Sequence, residues 1–126
     1  MKLLILGYPK HGKHTASKLI SAKLGIKYSP LDRQMAQYYN TNGFCEFLLK
    51  HSDIITQIIY KDEFENIKHW VDSIIWIHRN GVSSNIDEID RYELKSHNAN
   101  IFINNSGSKI QLNNLLNKID FNKKYH

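Results

Sequence analysis

One nine-residue stretch, Gly7-Tyr8-Pro9-Lys10-His11-Gly12-Lys13-His14-Thr15, limits what this chain can fold into more than any other part of it. It follows the apolar run Leu3-Leu4-Ile5-Leu6 and precedes Ala16-Ser17-Lys18-Leu19-Ile20, whose apolar residues recur at helical spacing. A strand that gives way to a helix across so short a link needs turn positions free of Cβ hindrance, and Gly7 and Gly12 supply them. Gly12 also lets backbone N–H groups approach an anion. Lys13 then brings a charge that reaches β- and γ-phosphates, and the helix behind it adds the positive end of its dipole. The stretch reads as a phosphate-binding loop; the competing reading is an ordinary glycine-containing turn between a strand and a helix.

The hydroxyl that such loops place directly after the lysine arrives one residue late. His14 stands there and Thr15 follows, a rotation of about 100° around the helix. Thr15 is therefore expected to bond an α-phosphate rather than to ligate Mg²⁺. With Lys10-His11-Gly12-Lys13-His14-Thr15, the chain resembles the P-loop nucleoside-monophosphate kinases. Their adenylate kinase branch has G-K-G-T at this point, and their small bacteriophage-type members have R-H-G-K-D-T. The resemblance implies that Gly7, Lys10, His11, Gly12, Lys13, His14 and Thr15 hold ATP.

A length of 126 residues, 41% hydrophobic and 23% charged, suits a single domain spanning 1–126. The net charge of +5 favours anionic partners without choosing between phosphorylated small molecules and nucleic acid. Neither an RNA-type aromatic motif nor a dense Lys/Arg cluster is present, which argues against nucleic acid. Cys45, the only cysteine, rules out an internal disulfide and points to a reducing compartment. No apolar run is long enough to span a membrane, and Met1-Lys2 leads straight into a strand, so a cytoplasmic protein is expected.

Taken in order, the pattern predicts strands at Lys2 to Leu6, Ile26 to Ser29, Ile54 to Tyr60, Ser73 to Ile77 and Ile101 to Ile103. Helices are predicted at His14 to Leu24, Leu31 to Tyr39, Phe44 to Lys50, Asp62 to Val71, Ile86 to Lys95 and Lys109 to Ile119. Asn40-Thr41-Asn42-Gly43 reads as a breaker, and Asp120 to His126 as a frayed tail. Strands alternating with helices after a phosphate loop predict an α/β, three-layer P-loop NTPase fold, with a parallel sheet of about five strands in the order 2-3-1-4-5.

The resemblance continues beyond the loop. Ile74-Ile75-Trp76-Ile77 is similar to the V-I-W-V strand of the phage-type kinases, and Ala99 to Ser108 is similar to their A-D-x-V-I-x-N-x-G-[ST] segment. In dephospho-coenzyme A kinases a like segment lies against adenine, which implies contacts from Asn105 and Gly107; the alternative is a plain turn with Ser108 as helix N-cap. Asp32-Arg33 sits where adenylate kinases place an aspartate and an arginine at the monophosphate site. Lys61-Asp62 is similar to an R-D pair of the phage-type kinases, with a lysine that cannot grip phosphate bidentately. The resemblance thus implies Arg33 and Lys61 as acceptor-binding cations, Asp62 and Asp32 as Mg²⁺-ordering carboxylates, and Arg79 and Arg91 as candidate lid arginines.

The seven histidines are scattered and suggest no metal site. Cys45 in Phe44-Cys45-Glu46-Phe47-Leu48 reads as a small core residue, and Tyr38, Tyr39, Phe44 and Phe47 as core or as stacking surfaces for an acceptor base. The resulting expectation is a kinase that moves the γ-phosphate of ATP to a nucleotide or similar small phosphorylated acceptor, with Mg²⁺. Spans too short for a full acceptor domain or lid motivate an alternative: a nucleotide-binding protein without catalysis that acts through a protein partner.

Overall fold

The computed structural model describes residues 1–81 and 92–125. The first strand, β1 (Leu3–Leu6), is buried along its whole length, as expected of a parallel strand covered on both faces. It lies between β2 (Ile54–Ile55) and β3 (Ser73–His78), and β4 (Ile101–Asn104) pairs with the far side of β3. All pairings are parallel, and the sheet order is β2-β1-β3-β4. Register sets Leu4 beside Ile74 and Ile55, and Ile5 beside Ile75.

Alternation along these strands separates two cores. Leu3, Ile5, Ile54, Ile75, Ile77, Ile101 and Ile103 face helix α1 (Lys13–Leu24) and a C-terminal helix, Lys109–Leu116. Leu4, Leu6, Ile55, Ile74 and Trp76 face α2 (Thr41–His51) and α3 (Lys61–Ile67); in chain order the C-terminal helix is α4. The result is three layers, helices on each side of a parallel sheet.

Among the described residues the sheet has four strands where five were expected, and the strand order changes with it. Ile26 to Ser29 makes no strand because the Ser21 carbonyl and two side chains, not a neighbouring ladder, take the donors of Ile26, Lys27 and Ser29. Lys27 N–H donates to Asp53 Oδ2 at 2.8 Å, and Ser29 N–H to Ser52 Oγ at 3.1 Å. Only the Lys27 carbonyl reaches the sheet, accepting from Asp53 and Ile54. The strand expected over Ile54 to Tyr60 stops after Ile55 for the same reason. Thr56 N–H donates to Gln57 Oε1, and the N–H groups of Ile59 and Tyr60 both donate to Glu63 Oε1.

Other boundaries also shift. Asn40 is a cap, not a breaker: its Oδ1 accepts from Gly43 N–H at 2.7 Å, so α2 begins at Thr41. The segment expected to be helical from Leu31 is a 3-10 turn, Arg33–Tyr38, capped by Asp32. The helix expected to reach Val71 ends as α-helix at Ile67 and continues as a 3-10 turn, Lys68–Trp70. Most of the helix expected at Ile86 to Lys95 lies outside the described residues. Its end is not helical: Tyr92 and Leu94 point inward, and Glu93 N–H donates to the Ile59 carbonyl. The tail is anchored, with Phe121 buried, Tyr125 N–H donating to Asp72 O, and Lys124 paired with Asp72 at 3.0 Å.

Candidate functional site

The link between β1 and α1 bends through three left-handed positions, Gly7 at φ 154°, Lys10 at φ 71° and Gly12 at φ 90°. Gly7 lies against β3, where a Cβ would stand 2.5 Å from the Ile77 carbonyl oxygen. A Cβ on Gly12 would stand 2.2 Å from Asn105 Nδ2. Gly12 is the N-cap of α1, no side chain caps the helix, and no acidic residue lies in its first turn. The first-turn N–H groups therefore lack intrahelical acceptors, and the turn brings no carboxylate of its own to the positive end of the dipole.

Residues far along the chain hold this link in place. Gly7 N–H donates to the Tyr92 hydroxyl at 3.2 Å. The Lys13 ammonium donates to the Gly7 carbonyl at 2.7 Å and lies 5.1 Å from the centre of the Tyr92 ring. Burial lowers its pKa to about 8. His11 is buried, and its Nδ1 accepts from Arg79 N–H at 2.8 Å, a role that requires the nitrogen to be unprotonated. Its carbonyl accepts from Asn105 Nδ2 at 3.2 Å. Burial first, then the neighbouring His78 and Lys13, depress the His11 pKa.

Lys10, Gly12, Lys13, His14 and Thr15 line a concavity of about 360 Å³, closed opposite by Tyr28 and Thr56. His14 Nδ1 is 2.8 Å from the Tyr28 hydroxyl. The structure thus brings the whole predicted loop together with Asn105, whose N–H donates to the His78 carbonyl at 2.6 Å. Gly107 lies one turn away, at a groove of about 620 Å³ bordered by Asn104, Gln111 and Lys118. Ser108 does cap α4: its Oγ accepts from Gln111 N–H, and Gln111 Oε1 accepts from Ser108 N–H.

The other candidates lie elsewhere. Arg33 is already engaged, with its two terminal nitrogens 2.7 Å from the two Glu63 oxygens and Nη1 donating to the Gln57 carbonyl at 2.8 Å. Asp32 is exposed and caps the 3-10 turn through Gln34 N–H. Asp62 is exposed and accepts from the Thr41 hydroxyl at 2.8 Å. Lys61 is exposed; its N–H donates to Glu93 Oε1. Arg79 is half-buried beside the loop, and Arg91 lies outside the described residues. Neither Asp32 nor Asp62 lines the loop concavity, and no group of three metal-ligating side chains occurs among the described residues. Among the described residues, none that lines the loop concavity supplies a carboxylate for a metal. Cys45 is buried, and burial together with Glu63 and Asp62 pushes its thiol up to about 11, which suits a core residue and not a nucleophile.

Three residues essential to this geometry were not singled out from sequence. Tyr28 and Tyr92 lie in segments with no motif, and Glu63 sits in a run of charges that reads as a solvated helix face. The alternation of Tyr92, Glu93 and Leu94 was the one available sign that this segment turns two side chains into the core. No protein-family model matches the chain, and no curated protein matches it.

Proposed function

We propose that the chain binds a nucleoside triphosphate at the Gly7–Thr15 loop and transfers the γ-phosphoryl of ATP to a small acceptor. One observation carries this reading: a helix N-terminus with no cap and no acidic residue lies under a glycine-shaped loop, with Lys13 folded into it. Such an arrangement leaves the first-turn N–H groups with no side-chain cap and places the Lys13 charge beside them, and phosphate satisfies both. Gly12, Lys13 and His14 would hold the β- and γ-phosphates, and Thr15 the α-phosphate. Tyr92 and Asn105 keep the loop in shape. Transfer forms a phosphorus–oxygen bond to an acceptor oxygen as the bond to the βγ-bridging oxygen breaks. ADP keeps the electron pair, and the acceptor proton passes to solvent.

The test is ATP–Mg²⁺ turnover and calorimetry on wild type and Lys13→Ala across a panel of acceptors. Binding and ADP production lost in the variant support the reading; no binding to wild type refutes it. A second reading, nucleotide binding without catalysis, draws on the Arg33–Glu63 pair, which withholds Arg33 from an acceptor phosphate. Binding without turnover would favour it.

A further inference from the structure

A second concavity, of about 300 Å³, opens between the 3-10 turn, the start of α2 and the start of α3. It lies at the small end of ligand-pocket volumes. The segment after β2 connects it to the loop site, since Thr56 lines the loop concavity, the Gln57 carbonyl holds Arg33, and Tyr60 lines the second concavity. Thr56 and Tyr60, four positions apart on this short piece of chain, thus belong one to each concavity.

The charge in this concavity is the informative part. Among the described residues its only cation is Arg33, and the Arg33 guanidinium is spent: both terminal nitrogens bond Glu63, Nη1 also bonds the Gln57 carbonyl, and the rings of Phe44 and Tyr60 flank it at 5.1 and 5.0 Å. Glu63 is itself buried and tied to the N–H groups of Ile59 and Tyr60. A phosphate arriving at Arg33 would have to displace a bidentate carboxylate that has nowhere to go. The remaining ionised group is Asp62, which carries a negative charge, and Lys61 does not line the space. Around Asp62 stand hydrogen-bonding and flat groups: Gln37, Asn40, Thr41, Tyr39 and Tyr60.

We infer that the acceptor is an unphosphorylated, hydroxyl-bearing molecule with a flat ring, of the nucleoside class, and not a nucleoside monophosphate. Its hydroxyl groups donate to the free oxygen of Asp62, and its ring rests against Tyr39 or Tyr60. Removing the charge of Glu63 frees Arg33 and turns the same concavity toward phosphate. The inference rests on the phosphotransfer reading and fails separately from it.

The test is calorimetry on protein saturated with a non-hydrolysable ATP analogue and Mg²⁺, titrated with four nucleosides and with their 5′-monophosphates. At least one nucleoside is expected to bind tenfold or more tightly than its monophosphate, and Glu63→Gln is expected to narrow or reverse that ratio. Should Glu63→Gln fail to fold, Asp62→Asn serves instead, with nucleoside affinity expected to fall about tenfold. Tighter binding of the monophosphates to wild type overturns the inference, as does unchanged nucleoside affinity in Asp62→Asn. If the analogue binds and neither acceptor class does, the inference is overturned while the triphosphate reading stands. Failure of the analogue itself to bind removes both.

Discussion

Arg33 and Glu63 meet through two parallel contacts of 2.7 Å, one from each guanidinium nitrogen to each carboxylate oxygen, in a setting where the Glu63 side chain is only 7% exposed. A pair so placed is a coupled unit, and removing Arg33 leaves the buried Glu63 carboxylate without its counter-charge.

Arg33→Met is therefore expected to cost about 3 kcal/mol of stability, and Glu63→Gln a similar amount or less because the amide still accepts from Ile59 and Tyr60. Arg33→Met combined with Glu63→Met is expected to cost less than the sum of the single Met variants. Urea denaturation of the four proteins measures the coupling; strict additivity would show that the pair does not act as a unit.

Gly7 and Gly12 separate stability from binding. Gly7→Ala drives a Cβ into the Ile77 carbonyl, a backbone atom that cannot swing aside, so a stability loss of about 2 kcal/mol or more is expected. Gly12→Ala meets a side-chain amide that can rotate away at the loss of its bond to His11. Its stability loss should be smaller, with phosphate binding abolished. Thermal melting with and without ATP–Mg²⁺ reads both quantities, and equal melting-point losses for the two variants would contradict this assignment.

Lys13 carries a cost that binding relieves. Its folded pKa, about 8, lies below the unfolded lysine value, so the native state holds fewer protons than the unfolded state between roughly pH 8 and 10.4. Stability should rise with pH across that window. At pH 7 the unliganded Lys13→Met protein should be more stable than wild type by on the order of 2 kcal/mol while losing ATP affinity. A bound anion stabilises the ammonium, so ATP binding near pH 8 should take up protons. Calorimetry in buffers of different ionisation enthalpy detects this, and proton release would reverse the sign of the argument.

His11 gives the acid limb. Its pKa is depressed by burial and by the charges of His78 and Lys13, so the native state binds fewer protons than the unfolded state below the ordinary histidine value near 6.5. Stability attributable to this group is intact above about pH 6.5 and is lost as the pH falls. Protonation of Nδ1 also breaks the bond from Arg79 N–H. His11→Asn should flatten the decline of urea midpoint between pH 7 and 5; an unchanged slope would assign that decline to other groups.

Much of the architecture was legible because local signals agreed: Leu3–Leu6, Ser73–His78 and Lys13–Leu24 were each found within a residue. The turn between β1 and α1 was also legible, since Gly7 and Gly12 take the positive φ angles that glycine favours. The misses share one cause, side chains standing in for backbone partners. Ser52 and Asp53 take the donors of the expected second strand, Glu63 takes those of Ile59 and Tyr60, and Asn40 converts a breaker into a cap. Such substitutions depend on which residues meet in space, and residue periodicity carries no trace of them. The engagement of Arg33 by Glu63, thirty positions away, was hidden for the same reason.

The contacts that shape the loop also set an order of events during synthesis. Its own residues emerge from the ribosome first, yet Gly7 packs on Ile77, His11 waits for Arg79, Gly7 N–H waits for Tyr92, and Gly12 abuts Asn105. A nascent chain that has not reached Asn105 holds every loop residue and lacks the frame that bends them. If the loop binds nucleotide as proposed, capture would be a late event on the ribosome, withheld until β4 is made, and a chain truncated before β4 should be invisible to ATP.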